Sequence, residues 1–338
     1  MTTQGRQLMG LIRAVTLAAA VFAVLVVAWA APGDLTKEGL SLVEKGELDA
    51  ALDRFTTAIQ QNGRDAEAYF GRGVVYWHKA DLEKAIAEYT TALAMDPNLT
   101  DAYVNRGVCY DEKGDHDKAI ADFNNAIRLD PKDAETFVKR GAAYTDKGAF
   151  DVALADFDTA VRLGLMDPEV FFLCGNAYRG KGSLELAVAA YSEAIRRDPK
   201  FADALTNRGV TYNDQREYDK ALADFNQVIQ INPKDAVAYF NRGNAFFAKK
   251  DFAHAIIDYS EAVRLNPKDA DSYSNRGAAY DKQGDVDKAL ADFQEAIRQE
   301  PANPQTYELR APVLEKRGDA AGAAADRDKA QQLKAEQK

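Results

Sequence analysis

Seven arginines recur in a 34-residue register: Arg72, Arg106, Arg140, Arg208, Arg242, Arg276 and Arg310. In register they could form a basic binding track, because each guanidinium offers a planar fork of donors to carboxylate or phosphate. The chain also places an acid sixteen residues after each one: Glu88, Asp122, Asp156, Asp224, Asp258, Asp292 and Asp326. Two other stretches change both members together. Glu38 stands with Arg54, and Cys174 with Ala190. Matched charge across all nine stretches points to an internal ion pair, since a charge withdrawn from water must be paired. These arginines are expected to be framework.

Other chemistry fails its structural test. Gly175–Lys181 begins like a phosphate loop, but Gly182 stands where Ser or Thr is required, and no strand precedes it. Gly71-Arg72-Gly73 falls inside a helical pattern. His78, His116 and His254 lie far apart with no ligand spacing between them. No nucleophile–base pair stands out, so neither catalysis nor a cofactor nor a resident metal is expected. The formal charge of −10 argues against nucleic acid, whose phosphates need a basic stripe. Cys109 and Cys174 fall two repeats apart, too distant for a bridge between helices packed ~8–10 Å from their neighbours.

The elements that position these residues follow from the repeat itself. With Thr100 as position 1, Tyr103 is position 4, Gly107 position 8, Tyr110 position 11, Ala119 position 20, Phe123 position 24, Ala126 position 27 and Pro131 position 32. The glycine returns every 34 residues at Gly39, Gly73, Gly107, Gly141, Gly175, Gly209, Gly243 and Gly277, with Ala311 in a ninth unit. At 100° per residue, positions 4, 7, 8 and 11 share one helix face. Small residues at 8, 20 and 27 permit close helix approach, and aromatics at 4, 11 and 24 fill the space beside them. This pattern resembles the tetratricopeptide repeat, two antiparallel helices per 34 residues. The resemblance implies an all-α, right-handed superhelical solenoid of nine units: 32–65, 66–99, 100–133, 134–167, 168–201, 202–235, 236–269, 270–303 and 304–337. Two places depart from it. The linker Gly164–Pro168 delays its proline by three residues, and the ninth unit carries Pro312 inside its first helix and Arg327 in place of an aromatic.

In the family, positions 2, 5, 6, 9, 12 and 13 of the first helix line a concave groove that holds extended peptides or partner helices. Here that face offers Phe70 and Trp77 in the second unit, and Phe240, Asn244 and Phe247 in the seventh. Position 6 adds a partial asparagine ladder, Asn105, Asn207, Asn241 and Asn275, whose amides can donate to and accept from a peptide backbone. Family members resembling the sugar-transferring enzyme that modifies serine and threonine use such a ladder. The alternatives are that the aromatics pack on neighbouring units and that the asparagines bond locally. Acids lie between them, Asp101, Asp111, Asp146, Asp203 and Asp271 included. The expected partner is a protein or extended peptide, basic or apolar. Position 5 is mostly Phe, Val, Thr or Ser, so the lysine clamp by which other members hold an acidic C-terminal tail does not fit.

Residues 1–31 are of another kind. Arg6 and Arg13 precede an apolar run from Ala14 to Ala31, closed by Ala28-Trp29-Ala30 and Pro32. Positive flank, apolar run and A-x-A make an export signal. At 18 residues the run also reaches the lower limit of a membrane span. The expectation is an exported scaffold in a bacterial periplasm or outside the cell. The alternative keeps the segment as an anchor, with the repeats on the outer side and membrane contact only through residues 1–31.

Overall fold

A computed structural model describes residues 35–336, and every regular element in that span is an α-helix. The helices alternate between first and second members of antiparallel pairs. The first helices are α1 Leu35–Glu44, α3 Ala66–His78, α5 Thr100–Glu112, α7 Ala134–Asp146, α9 Pro168–Gly180, α11 Ala202–Asp214, α13 Ala236–Ala248, α15 Ala270–Gln283 and α17 Pro304–Arg317. The second helices are α2 Leu48–Gln61, α4 Leu82–Met95, α6 His116–Leu129, α8 Phe150–Arg162, α10 Leu184–Arg197, α12 Tyr218–Ile231, α14 Phe252–Leu265, α16 Val286–Gln299 and α18 Ala320–Glu336. The chain is an all-α repeat solenoid. The apolar segment of residues 1–31 lies outside the described residues, and no described helix is long and apolar enough to cross a membrane.

Local sequence sets both ends of each helix. Asp65, Asp133, Asp235 and Asp269 each accept a backbone N–H from the first turn of a first helix. Asp81, Asp115, Asp251 and Asp285 do the same for second helices. Such a carboxylate satisfies an orphan donor and favours the positive end of the helix dipole. The turn inside each pair needs one left-handed residue. Six pairs supply glycine there, while Ala80, Arg216 and Lys250 adopt φ of 58°, 62° and 64°. At the irregular linker, Pro168 becomes the first residue of α9, capped by Asp167. There its missing N–H leaves no helical bond unmade, so the delayed proline starts a helix and breaks none.

The core is a column of small cups, one per unit. Ala119, Phe123 and Ala143 are buried together, and Ala153, Phe157 and Ala177 repeat the arrangement one unit on. Glycine at position 8 is there because an aromatic edge lies against it. A Cβ added to Gly107 would come within 2.7 Å of Phe123 Cε1. Burial of each such ring contributes about 1.5–3 kcal/mol, which outweighs the helical penalty of roughly 0.5–1 kcal/mol for glycine. Cys109 is buried and Cys174 half-buried, both as free thiols.

Each first helix touches the first helices of its neighbours, whereas no second helix touches another among the described residues. The first helices therefore stand closer together, and the stack curves with them on its inner side.

Candidate functional site: the inner face of the first helices

The arginines are held inward against the second helix of their own unit. Arg106 Nε and Nη2 donate to Asp122 Oδ2 and Oδ1 at 2.8 Å each. The same two-point pairing joins Arg140 to Asp156, Arg208 to Asp224, Arg242 to Asp258, Arg276 to Asp292 and Arg310 to Asp326. Arg72 holds both Glu88 oxygens through Nη2. The reversed pair, Arg54 and Glu38, is made at 3.2 Å but is half exposed on both sides. The third guanidinium nitrogen does what the sequence reading did not foresee. Nη1 of Arg106 donates to Thr90, of Arg140 to Asn124, of Arg208 to Ser192, of Arg242 to Asn226 and of Arg276 to Ser260. Each acceptor sits at position 25 of the preceding unit. The arginine row thus fastens adjacent units together, and its forks are taken.

The aromatic and asparagine candidates form a second internal network. Phe70 lies 5.8 Å from Tyr89, Phe172 6.0 Å from Tyr191 and Phe240 5.9 Å from Tyr259, ring centre to ring centre. Phenylalanine at position 5 occurs only in the three units with tyrosine at position 24. The buried Tyr259 hydroxyl donates to Asn244 Oδ1 at 2.7 Å, and Asn275 Nδ2 donates to that oxygen at 2.9 Å. Tyr191, Asn176 and Asn207 repeat the arrangement at 2.8 and 2.9 Å. Asn105 hydrogen-bonds the Tyr89 hydroxyl, and burial holds that phenol well above the usual tyrosine range. Asn105, Asn207 and Asn275 therefore each follow a unit with Tyr at position 24. That covariation was visible in the repeats and gives the signal by which their inward role could have been found. Asn241 follows Phe225 instead, and its amide has no hydrogen-bond partner among the described residues.

Trp77 is half-buried beside the Tyr89 cluster and donates from Nε1 to Glu112 Oε1 of the next unit at 3.2 Å. Phe247 is half-buried against Phe252, 5.3 Å away. The candidates thus fall into three clusters around Tyr89, Tyr191 and Tyr259, each reaching into the next unit, with Asn241 next to Phe240 in the third.

Acids supply the charge of this face. At the N-terminal ends of the first helices, Asp101, Glu169, Asp203 and Asp271 make no ion pair with a basic side chain among the described residues. Burial and the neighbouring carboxylates Asp167 and Asp203 push Glu169 up to about 7. Burial, Asp269 and Glu300 push Asp271 up to about 6. Asp101 and Asp203 move upward for the same reasons, beside Asp133 and Asp235. Carboxylates that resist ionisation beside other carboxylates mark a site of negative potential.

Comparison with known proteins agrees with this architecture. Tetratricopeptide-repeat family models match residues 36–100; 100–133, 202–235 and 270–303; and, under the description TPR repeat, 175–215 and 243–284. Together these span well over half of the chain. The chain belongs to the tetratricopeptide-repeat family, whose fold serves as a protein-interaction scaffold. Among solved structures, a tetratricopeptide repeat protein from Parabacteroides merdae aligns at TM-score 0.57 and 20% identity, covering 72% of this chain and 96% of that one. YrrB, described as a TPR protein with an unusual peptide-binding site, is 30% identical at TM-score 0.47, covering 58% of this chain and 97% of its own. MamA is 27% identical at TM-score 0.45, over 48% of this chain and 95% of its own. No curated protein sequence matches the chain.

Proposed function

We propose that the protein is an exported scaffold whose concave first-helix face binds an extended, basic polypeptide segment. The observation that carries this reading is the row of unpaired acids, Asp101, Glu169, Asp203 and Asp271, along one edge of the inner face. A cationic segment laid there supplies the counter-charge that these carboxyls lack, and so offsets both their burial and their mutual repulsion. The exposed side of the Phe240–Asn241–Phe247 group supplies apolar and amide contacts beside that edge. The role is binding and assembly, not catalysis. Residues 1–31 support export by their charge, apolar run and A-x-A site; the same run supports a second reading, in which it is kept as an anchor.

The groove is tested by crosslinking and mass spectrometry of partners captured in the native host. Asp203→Lys/Asp271→Lys should lose the partners that the native chain recovers, while Asp117→Lys on a second helix should keep them. Equal recovery by both variants overturns the groove. Intact mass from the host decides the N-terminus: loss of about 30 residues supports cleavage and a free exported scaffold.

A further inference from the structure

We infer that Asp111, His116 and Asp146 form a site for a divalent transition-metal ion, with zinc the natural probe. The three come from consecutive helices α5, α6 and α7, and one ligand atom from each lies within 4.8 Å of the others. His116 Nδ1 stands 2.7 Å from Asp111 Oδ1. One imidazole nitrogen and two carboxylate oxygens suit Zn²⁺ and its first-row neighbours better than Mg²⁺ or Ca²⁺, which take oxygen alone.

A separate observation comes from the repeat. Position 17 is Leu48, Leu82, Phe150, Leu184, Tyr218, Phe252, Val286 and Ala320 in the eight sister units, each apolar or aromatic. Only in the third unit is it a metal-ligating side chain, and there it faces an aspartate at position 12 and another from the next unit. A packing position has been given to a ligand at the one place where two carboxylates meet it. The site also carries unbalanced charge. Glu112 stands next to Asp111, while the nearby lysines are engaged elsewhere, Lys113 with Glu83 and Lys147 with Asp117. An ion bound here would join the third unit to the fourth. This inference is independent of the groove reading.

The test is calorimetric titration of the full chain with ZnCl₂, alongside a thermal melt. One zinc per chain is expected at micromolar affinity, with a rise in melting temperature. His116→Leu restores the residue type of the sister units and keeps the fold, which circular dichroism checks; it should abolish that binding event. Asp146→Asn should weaken it at least tenfold. Absence of a one-to-one event in the native chain, or its persistence in His116→Leu, overturns the site.

Discussion

Arg106 and Asp122 meet through two parallel hydrogen bonds of 2.8 Å, with the aspartate only 4% exposed. Six first helices are pinned to their second helices by such a fork, Arg72 holds Glu88 through Nη2 alone, and five of the six forked arginines also reach back to the preceding unit. The pair converts a costly buried charge into a link between elements.

Removing one partner strands the other. Arg106→Leu should destabilise by about 3–5 kcal/mol, because Asp122 is left buried and unpaired. In the double-mutant cycle with Asp122→Ala, urea denaturation should show a coupling of at least about 1 kcal/mol. A coupling near zero would mean that the two side chains contribute independently. Glu38→Ala, at the half-exposed Arg54 pair, should shift stability by less than about 1 kcal/mol.

The amide networks separate framework from free surface. Asn244→Leu removes the acceptor of both Tyr259 and Asn275 and should cost about 1–3 kcal/mol. Asn241→Leu, which breaks no bond, should change stability by about 0.5 kcal/mol or less. Comparable losses in both variants, measured by denaturant melts, would contradict this division.

Left-handed turn residues give an engineering test. Arg216 holds φ 62° where six sister turns use glycine. Arg216→Gly relieves that strain and should stabilise by about 0.5–1 kcal/mol in thermal melts. Gly114→Ala, at φ 80°, should lower stability by a similar amount.

The raised acids fix the direction of the pH response. Glu169 titrates near 7 in the folded chain and close to 4.3 when unfolded. Between those values the folded state binds more protons, so stability falls as pH rises through that window. Glu169→Gln should therefore raise the melting temperature at pH 8 and leave it nearly unchanged at pH 4. Asp271→Asn should act alike over a window ending near pH 6. A pH profile identical to that of the native chain would exclude these carboxyls as its source.

Much of the architecture is legible in the amino-acid sequence. The glycine–aromatic spacing specified two helices per unit and the face on which they pack, because helical periodicity maps position onto a face. The Arg–Asp pairs were legible because nine sister units act as comparisons: both members change together at Glu38 and Arg54, and again at Cys174 and Ala190. The Phe–Tyr–Asn covariation is equally present, but its third member belongs to the next unit and so falls outside a comparison made unit by unit. Residues 1–31 speak only through their composition.

What the chain by itself determined, then, is each repeated unit: its helices, its turn and its internal ion pair, all set by residues within one 34-residue span. Contacts between units needed the stacked structure. Asn207 and Asn176 are 31 residues apart, Trp77 and Glu112 are 35, and His116 meets Asp146 only across a unit boundary. No single unit specifies those encounters, because the partners lie in different units and meet only at the angle at which one helix pair packs on the next. Once that angle brings position 6 of one unit against position 24 of the unit before, a tyrosine there draws the asparagine inward, and Phe225 leaves Asn241 free on the concave face.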